Sequence, residues 1–349
     1  MKKLPRWQRE QKERKKHKTR GVVRKVLLII FLILLIGIGW KIYTSISKSL
    51  WDGENQFNIA INSQSVLVVS FNPAEKSLNV LLIPDGTFIE TIHGYGPCRV
   101  ESIYRLGELN KKGGELFQGS LQTYLGIPVD AYASMSNIKA RCAGFLRNGQ
   151  MSNVKIKTCI LENIRFLIKD GETSLTKWDL VRLWLTLRSI RQDKINLVDL
   201  GQTSASQEVD LLDGTKANKI DTERLESIMS QFFVDKKLKQ EDLTVAVLNG
   251  TNHVGLANKV ATLIKNIGGQ LMTVGDTENG LAPRLGPRGQ GESLRQCQIK
   301  SEKKYKNSYT VRKLSHVFGC QWEGGPMAEQ RANLVLIVGK SYWEKLVLP

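Results

Sequence analysis

The stretch Val26–Trp40, VLLIIFLILLIGIGW, decides the architecture of this 349-residue chain, because it runs for fifteen residues without a charge. With the apolar residues beside it, the stretch extends over 22–43, close to the ~20 residues that a helix needs to cross a bilayer. Trp40 and Tyr43 lie where aromatic side chains line the membrane interface. The sequence therefore predicts a transmembrane helix at 22–43.

A strongly basic tail precedes this helix. Residues 1–25 contain twelve Lys or Arg against Glu10 and Glu13, a net charge of +10. Because they show no apolar periodicity, we expect residues 1–21 to be a disordered cytoplasmic tail, and the positive-inside rule places the rest of the chain outside. A basic segment beside a spanning helix typically sets topology and contacts anionic lipid, so we expect membrane lipid and no nucleic acid as its partner.

Cleavage of the helix as a signal peptide is the alternative. Ser45-Ile46-Ser47 half satisfies the requirement for small residues at a cleavage site. The apolar stretch is long for a signal peptide, which favours an uncleaved anchor. The predicted location is the cell membrane, with a single pass and a linker at 44–56.

The exterior is long enough for two modest domains, predicted at 57–234 and 243–349 with a charged linker at 235–242. The first domain is predicted to be mixed α/β. Its opening strands are Phe57–Ile61, Ser65–Phe71 and Leu78–Ile83, the last two joined as a hairpin by the turn at 72–76. The firmest helix is Lys177–Ile190, because Thr176 and Asp179 form a helix start signal.

The second domain shows a clearer alternation of strands and helices. The strand Thr244–Leu248 precedes a helix whose apolar face runs from Leu256 to Ile267 and which Gly268-Gly269 ends. The later elements are strands Leu271–Val274 and Arg295–Ile299, a helix capped by Ser308, and strand Ala332–Val338. This β-α-β-β-α-β order predicts a small sheet with helices on one face. The fold class expected for the whole chain is α/β (α+β).

The five cysteines, Cys98, Cys142, Cys159, Cys297 and Cys320, match no zinc-binding spacing. Outside the membrane they are able to form disulfides, and Cys297 with Cys320 is the favoured pair because both lie in one domain. An odd count leaves at least one thiol free or intermolecular. Buried, unpaired thiols are the open alternative.

A basic segment lies within the second domain. Residues 284–313 contain nine Lys or Arg against two Glu, a net charge of +7. The candidate residues for binding an anion or a polymer are Arg284, Arg288, Arg295, Lys300, Lys303, Lys304 and Lys306. The alternative is a solvated basic segment without a ligand.

Catalytic signatures are missing from the sequence, which has no GxSxG, Walker or HExxH motif. We assign no catalytic residue and no metal ligand. The turn Asn249-Gly250-Thr251-Asn252 precedes a helix, and free amides at a helix start attract anions. It lacks the glycine spacing of a nucleotide site, so an ordinary strand-to-helix turn is favoured.

The second domain nevertheless resembles a known one. VAVLNGT at 245–251, GLA at 255–257, VGD at 274–276 and ANLVLIVGK at 332–340 resemble the C-terminal domain of LytR-type cell-envelope proteins over about Leu243–Lys345. The resemblance implies an envelope protein that works at the outer face of the membrane.

The first domain resembles, in part, the LytR-CpsA-Psr module that often precedes that domain. The similar stretches are Ser65–Pro73, Leu81–Pro84 and Leu125–Tyr132. Members of this family move a lipid-linked polymer from a pyrophosphate carrier to peptidoglycan, with arginines on the phosphates and acidic residues on Mg²⁺. The resemblance therefore implies Mg²⁺ as a cofactor only if this module is active.

The chemistry that the resemblance implies is not found in the residues. The slot for the family's Ile-Pro-Arg-Asp-Thr reads Ile83-Pro84-Asp85-Gly86-Thr87, without the arginine, and Ile61–Gln64 stands in place of the early Asp/Arg motif. Phosphoryl transfer depends on clamping charge with arginine and metal. Asp85 and Arg99 are the weak remnants.

The function expected from the sequence is a non-catalytic binding or scaffolding relative of these proteins in cell-wall assembly. Its possible partners are an anionic wall polymer or other envelope proteins. The alternatives are a divergent phosphotransferase that attaches lipid-linked polymer to peptidoglycan and, ranked last, an envelope-linked regulator.

Overall fold

The computed structural model describes residues 6–63, 65–135, 153–210, 214, 216–276, 295–325 and 331–347. They form two compact units. One contains residues 1–49 with Thr176–Trp178, and the other contains Leu50–Leu175 with Asp179–Pro349.

The first unit is built on one long helix, α1, Arg6–Ser47. Its segment Leu27–Ser47 has 21 residues with a mean hydropathy of 2.3, long and apolar enough to cross a membrane. Such a segment fits a signal anchor and a signal sequence alike. The expectation of a disordered tail was wrong from Arg6 onward, because Lys, Arg, Glu and Gln are good helix formers and extending an existing helix requires no new nucleus.

The second unit contains the remaining elements. Its helices are α2 (Ile103–Glu108), α3 (Gly113–Leu125), α4 (Asn153–Asp170), α5 (Lys177–Ser189), α6 (Thr222–Phe232), α7 (Lys236–Glu241), α8 (Leu256–Asn266), α9 (Tyr309–Phe318) and α10 (Lys340–Val347). Lys177 and Trp178, the first two residues of α5, fall in the first unit. Its strands are β1 (Phe57–Asn62), β2 (Val66–Asn72), β3 (Ser77–Ile83), β4 (Phe88–Glu90), β5 (Pro97–Arg99), β6 (Ala131–Ser134), β7 (Glu172–Thr173), β8 (Ile195–Asp199), β9 (Ser206–Asp210), β10 (Lys216–Ile220), β11 (Thr244–Asn249), β12 (Gln270–Asp276), β13 (Gln298–Ser301), β14 (Gln321–Gly324) and β15 (Leu334–Val338).

The first sheet has the strand order β7-β6-β1-β2-β3-β8. The hairpin predicted around residues 72–76 is confirmed, since Asn72 pairs with Ser77 in antiparallel β2 and β3. Strands β6, β1, β3 and β8 all run in one direction, so their carboxyl ends lie at the same edge.

Helices cover both faces of the first sheet. Alternate residues of β1 and β2 face different clusters: Ile59 and Val69 pack with α4 and α5, whereas Ala60 and Val68 pack with α2, α3 and α6. A sheet buried on both faces carries long apolar runs rather than a polar face, which explains why β1 to β3 are almost entirely buried.

The second sheet has the order β12-β11-β15-β13-β14. One face packs against α8, α9 and α10, as predicted for helices on a single face. The predicted β-α-β-β-α-β order was incomplete, because it omitted β14 and α10. Trp322 is the only large apolar residue of β14, so the strand has no alternating pattern to predict it.

The predicted linker at 235–242 and residues 50–56 of the predicted linker at 44–56 are ordered in this unit. Within 44–56, Trp51 is 2% exposed and stacks on Phe57 with the ring centroids 5.6 Å apart. Within 235–242, the buried Asp235 side chain caps α7 and accepts a hydrogen bond from the Tyr309 hydroxyl. Both segments are fixed by distant residues, a constraint that local composition does not reveal.

The cysteines divide into bonded and free thiols. Cys297 and Cys320 are joined by a disulfide, and Cys159 is also disulfide-bonded. Cys98 is a free, partly buried thiol whose pKa is raised by burial. Cys142 lies outside the described residues.

Candidate functional site

The two motif positions, represented by Ile61–Ser63 and Ile83–Thr87, lie at one edge of the first sheet. In the strand register, Glu172 pairs with Ser134, Ser134 with Asn62, Asn62 with Val66, and Val66 with Ile83. Asn62 lies within Ile61–Gln64, the stretch that stands in place of the early Asp/Arg motif, and Ile83 begins the Ile-Pro-Asp-Gly-Thr slot. Carboxyl edges of parallel strands are where open α/β sheets bind ligands, so this edge is the first candidate site.

Polar groups at the β1 end of this edge form hydrogen bonds within the protein. Asn62 Nδ2 donates to Ser134 Oγ at 3.4 Å, and the Tyr104 hydroxyl donates to Glu172 Oε2 at 2.8 Å. Ser63 Oγ donates to the main-chain oxygen of Ser65 at 2.6 Å. These bonds engage the Tyr104 and Ser63 hydroxyl hydrogens and one of the two Asn62 amide hydrogens within the protein.

The electrostatic environment of this end is acidic. Burial and the neighbouring Glu172 raise the pKa of Tyr104 far above its ordinary value, and burial with Glu115, Glu108 and Glu172 raises the pKa of Tyr132. Carboxylates that disfavour a phenolate also disfavour a pyrophosphate. Among the described residues, no group of three or more His, Cys, Asp or Glu is arranged to hold a metal ion.

The Ile-Pro-Asp-Gly-Thr slot forms a closed turn after β3. Gly86 has a φ of +75°, a conformation that favours glycine, and its N–H donates to Glu101 Oε2 at 3.0 Å. Thr87 is buried, and its hydroxyl donates to the Pro84 carbonyl at 2.6 Å. A glutamate therefore occupies the Gly86 amide of the turn.

The proposed remnants Asp85 and Arg99 both lie beside this turn. The Asp85 side chain is exposed, and its main-chain oxygen accepts from Asn218 Nδ2 at 2.8 Å. Arg99 pairs with Phe88 across β4 and β5, and its guanidinium carbon lies 5.5 Å from the Phe88 ring centroid. The arginine thus stacks on an aromatic ring next to the slot.

A basic and aromatic surface forms on the second sheet and is the second candidate site. We define the β13–β14 surface by Lys300, Lys304, Lys306, Tyr305 and Trp322. Lys306 Nζ lies 4.8 Å from the Trp322 ring, and Lys304 Nζ lies 4.8 Å from the Tyr305 ring. The lysines were predicted from the basic segment, whereas the aromatic partners were not; Trp322 was missed because β14 was not predicted.

Carboxylates partly neutralise this surface. Lys300 Nζ lies 4.0 Å from Glu323 Oε2, and Lys304 Nζ lies 2.9 Å from Glu302 Oε2. The hydrogen bond with Glu302 raises the pKa of Lys304. Lys303 and Lys306 have no carboxylate partner among the ion pairs of the described residues and are available for long-range attraction of an anion.

The remaining candidates of the basic segment are spread along the strand. Lys303 is exposed beside the β13–β14 surface, whereas Arg295 is exposed at the opposite end of β13, where its carbonyl accepts from the Ser341 N–H. Arg284 and Arg288 lie outside the described residues. The structure thus brings together Lys300, Lys303, Lys304 and Lys306 and separates Arg295 from them.

The turn at Asn249–Asn252 uses its own amides. Asn249 Oδ1 accepts from the Thr251 N–H at 3.1 Å, Thr251 Oγ1 accepts from the His253 N–H at 3.2 Å, and the Gly250 N–H donates to the Val338 carbonyl. The N-cap of α8 is Gly255, with no capping side chain. These bonds favour the ordinary strand-to-helix turn over a phosphate site.

Two pockets lie away from the carboxyl edge. One, of about 180 Å³, is lined by residues of α3, α6, α8 and α10, including Tyr124, whose hydroxyl is buried without a hydrogen-bond partner. The other, of about 230 Å³, lies beside Gln56 and Asp235. Pockets that enclose drug-sized ligands usually exceed about 300 Å³, so both suit water or very small molecules.

Comparison with solved structures gives matches over about half of the chain. The Bacillus subtilis TagT structure matches with a TM-score of 0.40 and 14% identity, covering 52% of this chain and 91% of that one. A LytR-CPS2A-psr family protein, YwtF (TagT), with bound octaprenyl pyrophosphate lipid matches with a TM-score of 0.36 and 15% identity over 52% and 90%. Bacillus subtilis TagV matches with a TM-score of 0.38 and 14% identity over 50% and 94%.

These matches are to LytR-CpsA-Psr structures, at low identity. Neither a family model nor the sequence of a curated protein matches the chain. The resemblance of residues 243–345 to the LytR C-terminal domain stays a prediction from the sequence.

Proposed function

We propose that this chain is a membrane-anchored cell-envelope protein that binds an anionic polymer during cell-wall assembly and does not catalyse phosphoryl transfer. The anchor is the apolar segment of α1, with the N-terminus in the cytoplasm and the second unit outside. The first domain acts as a scaffold for the second, and the β13–β14 surface is the binding site.

The observation that carries the non-catalytic part is the chemistry of the carboxyl edge. Transfer of a phosphoryl group needs positive charge on the phosphate oxygens, supplied by arginine and metal. At this edge the amide of Gly86 bonds to Glu101, and Tyr104 bonds to Glu172. Glutamates at both positions work against such a transition state.

The binding part is supported by the β13–β14 surface. Lysines beside the partly buried rings of Tyr305 and Trp322 offer charge attraction and flat apolar contact to a polymer that carries both phosphate and sugar. Because the charges are exposed, the attraction is screened at high salt. The expected affinity is therefore modest and depends on ionic strength.

The experiment is a binding titration of the full chain in detergent with a purified anionic wall polymer at 0.15 and 0.5 M salt. Changing Lys300, Lys303, Lys304 and Lys306 to Gln removes one partly buried and three exposed charges. Each contributes about 0.5 kcal/mol, so binding should weaken about 30-fold. The matched control changes four exposed lysines elsewhere, Lys219, Lys236, Lys239 and Lys259, to Gln. Equal loss in both variants, or no loss in the first, contradicts the assignment.

A further inference from the structure

The outer face of α5 combines apolar and cationic residues in one stripe. Lys177, Val181, Leu185 and Arg188 follow one another at intervals of four, four and three residues, which places them on the same side of the helix. Val181 is 37% exposed and Leu185 is 56% exposed, and both flanking residues are exposed cations. The stripe therefore has two apolar residues between two cations, over about 17 Å of helix.

Two arginines flank a tryptophan next to this stripe. The guanidinium carbon of Arg188 lies 4.6 Å from the Trp184 ring centroid, and that of Arg165, from α4, lies 5.8 Å from it. Trp184 is only partly buried. Tryptophan and arginine together are typical of protein surfaces at the level of lipid headgroups, where the ring has one apolar and one wet side.

The surrounding segment is basic as a whole. Residues 153–194 contain nine Lys or Arg against five Asp or Glu, a net charge of +4. One of the acids, Asp179, is fully buried and accepts hydrogen bonds from the N–H groups of Leu50 and Trp51 at 3.2 Å each. The accessible face is thus more positive than the count suggests.

Only two residues of the covalent chain separate the apolar segment from a residue that is hydrogen-bonded to α5. That segment ends at Ser47, and only Lys48 and Ser49 separate it from Leu50. An extended chain covers at most ~3.6 Å per residue, so Leu50 lies within about 11 Å of Ser47. Because Asp179 accepts a hydrogen bond from the Leu50 N–H, α5 is linked to the chain three residues after the apolar segment.

We propose that the outer face of α5, with Arg165 of α4, rests on the headgroup region of the membrane and favours anionic lipid. Isolated exposed leucines are ordinary on protein surfaces. Here the apolar pair is flanked by cations, lies beside Trp184 and is tethered next to the anchor, which together identify a lipid surface as its occupant. The inference rests on the proposed anchoring by α1.

The test attaches an environment-sensitive NBD dye to the cysteine of a Leu185→Cys variant of the full chain, in which Cys98→Ser removes the free thiol. The labelled protein is reconstituted in nanodiscs that contain 30% phosphatidylglycerol. The control site is Leu109→Cys, because Leu109 is 80% exposed and lies at the end of α2. Lipids with a nitroxide on the headgroup should quench the dye at position 185 at least three-fold more than at position 109. Equal quenching at the two positions overturns the docking.

A charge variant tests whether the two arginines attract the outer face of α5 to anionic lipid. Each basic residue near an anionic surface contributes about a five-fold change in the contact equilibrium, so Arg165→Gln with Arg188→Gln should weaken it about 25-fold and lower the quenching at position 185. The control is Lys216→Gln with Lys219→Gln on β10, which should leave quenching unchanged. Quenching that survives the arginine changes overturns the proposal.

Insertion and docking fail in different ways. A chain that does not enter nanodiscs, measured by co-elution with the lipid, overturns the anchor and this inference together. A chain that enters them and shows equal quenching at both positions overturns the docking alone and leaves the proposed function standing.

Discussion

A buried ion pair joins the first and second sheets, and its removal should destabilise the exterior. Lys313 Nζ on α9 lies 3.8 Å from Asp130 Oδ1 before β6, and the two side chains are 10% and 4% exposed. Lys313 also donates to the Gln56 carbonyl at 3.2 Å, and Asp130 Oδ2 accepts from the Asn58 N–H at 2.8 Å. Neither charge has access to much water.

The magnitude follows from this geometry. At an effective dielectric constant of about 20 the pair attracts by about 4 kcal/mol, and breaking a buried pair on one side usually costs about 3–5 kcal/mol because the other charge is stranded. We expect Lys313→Met and Asp130→Asn each to lower the free energy of unfolding by about 3 kcal/mol. The double variant should lose well under the sum, with a coupling of about 2 kcal/mol.

The assay is urea unfolding of the full chain and the three variants, followed by tryptophan fluorescence. Matching midpoints from near-ultraviolet circular dichroism test whether the second unit unfolds as one body. Additivity of the single variants within about 0.5 kcal/mol would refute the reasoning, because it means that the two charges do not interact.

Three further predictions concern other parts of the second unit. Asp235→Ala should lower the free energy of unfolding by about 3 kcal/mol, because Asp235 is buried, caps α7 and accepts a hydrogen bond from the Tyr309 hydroxyl. Asp221→Ala, which removes an exposed cap, should lower it by about 1 kcal/mol. Urea unfolding midpoints of the two variants test the difference. Replacing Cys297 and Cys320 with Ala should cost about 3 kcal/mol, as expected for opening a loop with a separation of 23 residues, and a thermal scan tests this. Burial raises the pKa of Tyr104, so its contribution to stability is present below pH ~10 and is lost above it; Tyr104→Phe should flatten that alkaline loss, measured by unfolding from pH 8 to 11.

Local signals in the sequence were sufficient where a residue acts on its own neighbours. Ser308 was predicted to cap a helix, and its side chain accepts from the Val311 N–H at the start of α9. Gly268 was predicted to stop α8, and it follows the helix with a φ of +90°. These capping interactions depend on residues within one turn, so the sequence reveals them directly.

Elements that depend on distant partners were not predictable from the sequence. Helix α7 is only six residues long and charged, and its cap Asp235 also accepts a hydrogen bond from Tyr309. The polar hairpin of β9 and β10 shows almost no buried residue and has no alternating apolar pattern. At the candidate site, the sequence alone shows that the motif arginine is absent. That Glu101 accepts a hydrogen bond from the Gly86 amide is known only from the fold.

The most direct measurement is Mg²⁺-dependent transfer or release of a sugar polymer from a polyprenyl-pyrophosphate carrier by the purified full chain, beside an active LytR-CpsA-Psr enzyme. With several donors, the account predicts no turnover above the protein-free background, together with measurable salt-sensitive binding of the anionic polymer. Turnover that requires Mg²⁺ and is lost when Asp85 or Arg99 is changed to Ala would contradict it and establish the carboxyl edge of the first sheet as an active site.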